Sequence, residues 1–175
     1  NASGFSLSGS PTINGALTFT TGRLSIGSNT LNLAGTVASM TTANNITGSS
    51  TSNLSITGTG TLGTLLFNQT TAGTTNILNN LTIDRASTGI INLGSALNLA
   101  GNLTVTNGSL RSSGANTLTM AGTTQSFTIS NTSGGSVLGT DNSAGNDLTL
   151  AIATGSTTTL TGDATSTNDD DKKFF

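Results

Sequence analysis

A period of two that never runs for long limits this chain more than any other feature. Apolar and small polar residues alternate in Leu17-Thr18-Phe19-Thr20, Leu24-Ser25-Ile26, Leu31-Asn32-Leu33, Leu54-Ser55-Ile56 and Leu81-Thr82-Ile83. The pattern returns in Leu97-Asn98-Leu99, Leu103-Thr104-Val105, Leu118-Thr119-Met120, Phe127-Thr128-Ile129 and Leu148-Thr149-Leu150. Alternation of this kind is a strand with one buried face. Nearly every run stops at glycine or asparagine, as at Thr21-Gly22, Ala34-Gly35, Ala100-Gly101, Asn107-Gly108 and Ala121-Gly122, residues that turn the chain at low cost. No stretch carries the spacing or composition of a helix. Strands so short cannot make an ordinary sandwich or barrel. They need like strands stacked in register on both sides.

An internal repeat supplies the stacking. Leu17 to Gly35 reads LTFTTGRLSIGSNTLNLAG and aligns with Leu103 to Gly122, LTVTNGSLRSSGANTLTMAG, with one extra residue near Ser112-Ser113. Leu81, Leu103, Phe127 and Leu148 recur at the spacing of one coil. Periods of this size mean a solenoid. The fold expected is all-β: a right-handed parallel β-solenoid of roughly triangular coils, about 20–24 residues each. Inward Leu, Ile, Val and Phe stack into a continuous core, while outward Thr, Ser and Asn form ladders. The solenoid is expected over 1–162, with 163–175 as a charged tail. Thr41 to Ser52 and Asn68 to Thr75 read as longer polar excursions.

Composition narrows the chemistry. Thr, Ser, Asn and Gly fill 103 of 175 positions, charged residues are 7%, and Cys, His, Trp, Tyr and Glu are absent. Disorder is disfavoured because 33% of residues are hydrophobic and fall at regular places. Without Cys or His there is no disulfide frame, thiolate nucleophile or imidazole base, and zinc lacks its usual ligands. A net charge of -2 offers no basic surface to nucleic acid. No apolar run approaches a membrane span. Asn1-Ala2-Ser3-Gly4 shows no signal-peptide pattern, so the chain is expected to be a mature secreted product or a piece of something longer.

Units such as Gly101-Asn102-Leu103-Thr104-Val105-Thr106-Asn107-Gly108-Ser109-Leu110 and Asn116-Thr117-Leu118-Thr119-Met120-Ala121-Gly122 resemble the β-strand repeats of large bacterial surface proteins. These are parallel β-helix adhesins and fibre proteins of Gram-negative bacteria, including autotransporter-like and Bacteroidota surface proteins. The resemblance covers about residues 10 to 160. It implies an extracellular or cell-surface location and an adhesive or structural role, and it carries no set of functional residues to transfer.

No catalytic constellation emerges, and neither a metal nor a cofactor is expected. The acids Asp84, Asp141, Asp147, Asp163, Asp169, Asp170 and Asp171 are scattered, whereas glycoside cleavage needs a paired set. Asp84-Arg85 reads as a solvated turn. Asp141 and Asp147 flank Asn142, Ser143 and Asn146, but their spacing matches no calcium loop and reads as a turn. Gly58-Thr59-Gly60 is a turn between strands and not a phosphate loop. The pairs Thr18–Thr20, Thr57–Thr59 and Thr104–Thr106 raise ice binding, yet they do not recur on one clear face.

The ends give the candidate site. Phe5-Ser6-Leu7 enters strand pattern at once, and Asp169, Asp170, Asp171, Lys172, Lys173, Phe174 and Phe175 gather charge and two aromatics. A solenoid without polar caps exposes core and strand edges. Phe5, Leu7 and residues 169–175 are therefore expected to contact further copies of the chain in a head-to-tail filament. The alternative is a stalk or binding segment of a large adhesin, facing surface glycans or host or abiotic surfaces. An ice-binding solenoid and a polysaccharide-active enzyme are the minor alternatives.

Overall fold

The computed structural model describes residues 4–86, 89–130, 138–139 and 148–162. Among them the chain is all-β, without a helix, and its strands pair parallel as a β-solenoid. The longest sheet holds seven strands in chain order: Thr12–Ile13, Thr30–Leu33, Asn53–Ile56, Asn80–Asp84, Leu103–Asn107, Thr124–Ile129 and Thr157–Gly162. Between successive members of this central sheet the chain lays one strand on a second face and one on a third. After Asn53–Ile56, for example, come Gly63–Leu65 and then Ile77–Leu78.

The second face has two ladders, one of Ala16–Thr18 and Thr36–Ala38, the other running from Gly63–Leu65 to Leu138–Gly139. Val37 N joins them by donating to Leu62 O at 2.8 Å. The third face is likewise split after Ile46–Thr47, where Phe67 pairs with Ile46 by a single bridge and Gly48 N reaches Thr75 O at 2.9 Å. Every such bond links one coil to the next, so the hydrogen bonds run along the axis.

Alternation places the core as expected. Leu31, Leu54, Leu81, Leu103, Phe127 and Leu160 form one inward column, each paired with the next. Leu33, Ile56, Ile83, Val105 and Ile129 form its neighbour. Burying each such side chain contributes about 1.5–3 kcal/mol. Outward positions form ladders, and the turns add an asparagine chain. Asn53 Oδ1 accepts from Asn80 Nδ2 at 3.0 Å, Asn80 Oδ1 from Asn102 N at 2.8 Å, and Asn102 Oδ1 from Ser126 N at 2.8 Å.

Some details depart from the sequence expectations. Phe127 pairs with Leu160, not with Leu148; Leu148 precedes Thr149–Ile152, which pairs with Thr117–Met120 on the third face. That coil is longer than 20–24 residues, as is the one from Leu54 to Leu81. The aligned segments 17–35 and 103–122 also start on different faces. Leu17 lies on the second and Leu103 on the central, because strands of one pattern are interchangeable in sequence. Within the excursion predicted at Thr41 to Ser52, Ile46–Thr47 is a strand and Ile46 is buried. The excursion at Asn68 to Thr75 is a loop.

Candidate assembly surface

Each inward column needs a coil on both sides. Phe5 begins the column that continues through Leu24 and Ile46 to Phe67, all three buried. Phe5 itself is 71% exposed. Its backbone is fixed, with Phe5 N donating to Arg23 O at 2.7 Å and Leu7 N to Ser25 O at 3.0 Å. Leu7 packs half-buried against the core, and its carbonyl accepts from Asn29 Nδ2 at 3.0 Å. Among the described residues the strands Phe5–Ser6, Thr12–Ile13 and Ala16–Thr18 pair along one edge only.

Exposed apolar residues also stand toward the other end of the described chain. Leu160, after buried Phe127, is 49% exposed, and Ile152, after buried Met120, is 52% exposed. Among the described residues their strands also pair along one edge. Thus Phe5 and Leu7 lie on one end coil, while Asp169, Asp170, Asp171, Lys172, Lys173, Phe174 and Phe175 lie outside the described residues. Ile152 and Leu160 were missed at the sequence level. Their signal was their place as apolar residues in the stretch 148–162.

Of the acids, Asp84 alone lies among the described residues; Asp141, Asp147 and Asp163 lie outside them. The expectation of a solvated Asp84-Arg85 turn is corrected. Asp84 is exposed and accepts from Asn107 Nδ2 at 2.7 Å. Arg85 is 1% exposed and donates to four backbone carbonyls. Nε bonds Gly60 O at 2.6 Å, Nη2 bonds Gly35 O at 2.9 Å and Thr59 O at 2.7 Å, and Nη1 bonds Thr57 O.

The corner is shaped for this contact. Gly58 and Gly60 are left-handed, with φ of 85° and 67°, and turn the carbonyls around them toward the guanidinium. A Cβ at Gly58 would overlap Ala34 O. Burial alone pulls the Arg85 pKa below the ordinary arginine value. Among the described residues no carboxylate pairs with Arg85, so carbonyl dipoles replace the usual counter-charge. Arg85 ties its own coil to the two before it and is closed to any solute.

The threonine pairs fall as the sequence suggested. Thr18–Thr20, Thr57–Thr59 and Thr104–Thr106 do not share a face, but a different set does. Thr82, Thr104, Thr128 and Thr161 stack in one outward column of the central sheet.

On the corner between the second and third faces lies a shallow groove of about 320 Å³, lined by Thr42, Leu66, Phe67, Gln69, Gly94, Ser95, Ala96 and Asn116. No family model, curated protein or solved structure matches the chain.

Proposed function

We propose that this chain is a non-catalytic structural protein that assembles end to end with copies of itself into a secreted or cell-surface filament. The observation that supports this reading is the exposure, among the described residues, of Phe5 on one side and of Ile152 with Leu160 on the other. Apolar side chains of this size gain by burial, and unpaired strand edges accept further strands. The two ends differ, so their contact is head-to-tail and does not close on itself; such a contact gives an open fibre. The surface location rests on the resemblance to bacterial β-strand-repeat proteins.

Sedimentation velocity and negative-stain microscopy over a concentration series test the proposal. Rods should lengthen in steps of one subunit, and Phe5→Asp together with Leu160→Asp should leave single short rods with an unchanged circular dichroism spectrum. Monodisperse short rods of the unmodified chain at high concentration would count against it.

A second reading, the stalk or binding segment of a large adhesin, is favoured by one observation. The ordered Asn68–Asn76 loop and the groove beside it are features that a plain rod does not need. In that reading, the coil covering Phe5 belongs to the same polypeptide.

A further inference from the structure

The segment from Asn68 to Asn76 leaves the solenoid between Phe67 and Ile77, and residues 69–74 are exposed. It has no apolar side chain larger than alanine, so core packing does not explain its order. Hydrogen bonds do. Asn68 Oδ1 accepts from Thr70 N at 3.0 Å and Thr70 Oγ1 at 2.6 Å. Thr75 Oγ1 donates to Asn68 O at 2.7 Å, and Asn76 Oδ1 accepts from Gly73 N at 2.6 Å. Asn68 and Asn76, the two anchors, are buried.

The loop is also pinned to the following coil. Gln69 Nε2 donates to Phe67 O at 3.0 Å and to Ala96 O at 2.9 Å, while Asn76 Nδ2 donates to Gln69 Oε1 at 3.1 Å and to Ala96 O at 3.3 Å. The coil that carries Ala96 turns tightly through Gly94-Ser95-Ala96, so the loop overhangs a notch, the groove described above. Ser95 Oγ accepts from Phe67 N at 2.8 Å and stiffens the floor.

We propose that this notch binds one pyranose ring of an uncharged saccharide. None of its lining residues is charged, which disfavours anionic and cationic ligands alike. Its lining combines the hydroxyl- and amide-bearing Thr42, Gln69 and Asn116 with the apolar Leu66 and Ala96. That mixture matches a sugar, which has hydroxyls at its rim and C–H bonds on its faces. Both Gln69 N–H bonds are spent on backbone carbonyls, yet Oε1 takes only one bond from Asn76 and keeps a second lone pair for a sugar hydroxyl. The amide is thus held in place before a ligand arrives, which lowers the ordering cost of binding. The volume lies at the small end of ligand pockets and suits one ring, not a long chain.

The experiment is saturation-transfer NMR on the full chain with the methyl pyranosides of glucose, galactose, mannose and N-acetylglucosamine at millimolar concentration, with glucuronate and glucosamine as charged controls. At least one neutral pyranoside should receive transfer and the charged controls should not. Ala96→Phe, which fills the notch, should abolish the signal. Gln69→Ala should weaken binding about tenfold, with the melting temperature within a few degrees of the parent. Absence of transfer to every neutral pyranoside, transfer that survives both variants, or equal transfer to the charged sugars would overturn the proposal. The site does not rest on the filament reading, and rod length measured on the same samples keeps the two apart.

Discussion

Arg85 takes a full charge into a corner where carbonyl oxygens, not carboxylates, receive it. Its neighbours show why a surface turn was the natural reading of the sequence: Asp84 and Asn107 are exposed or half-exposed polar groups bonded to each other. Yet the period of two that puts Leu81 and Ile83 inside, with Thr82 and Asp84 outside, places Arg85 inside as well. The period was legible; the charge argued against it, and the Thr57, Thr59 and Gly60 carbonyls that settle the matter are a coil away. The consequence is measurable. Arg85→Met leaves four carbonyl acceptors without their donor and should lower the unfolding free energy by about 3–5 kcal/mol, as losing one partner of a buried polar cluster does. Arg85→Lys has fewer donors and no planar fork, and should fall between the two. Urea denaturation would show both, and a Met variant as stable as the parent would refute the stapling role.

At the scale of strands and turns, alternation and the internal repeat together were enough to predict short parallel strands, inward leucines and outward ladders of Thr, Ser and Asn. It could not say which face a strand joins. The three strands of a coil share one pattern, and only hydrogen bonding between coils tells them apart. Hence Phe127 was matched to Leu148 although it pairs with Leu160. Phe5 and Leu7 were singled out from the sequence, whereas the exposed Ile152 and Leu160 were not. The Asn68–Asn76 loop was visible as a polar excursion, but its bonds to Ala96 were not. That loop hangs from a coil that other faces keep in register through Asn53–Ile56 and Asn80–Asp84. Replacing it with a short Gly-Ser-Ala turn, like the one at Gly94-Ser95-Ala96, should keep the strand content of the circular dichroism spectrum. Collapse of that spectrum would mean that the loop holds the coil together.

For the whole molecule, stability is close to a sum of coil terms and neighbour terms. Coils in the middle are covered on both sides; among the described residues the coils that carry Phe5 and Leu160 are covered on one. Amide hydrogen exchange should therefore be slowest at Leu81, Ile83, Leu103 and Val105 and speed up toward Leu7 and Leu160. Uniform protection from end to end would contradict a one-dimensional stack. Filament growth should raise protection at the end coils while leaving the middle as it was.

The bonds between coils point along the rod, and the polypeptide itself runs around it. Tension along the axis is therefore borne by peptide hydrogen bonds and apolar contact, with no covalent thread to share the load. Such a rod would fail as a spool does, shedding one loop of thread at a time, and each lost coil would let out its full contour length before the next gave way.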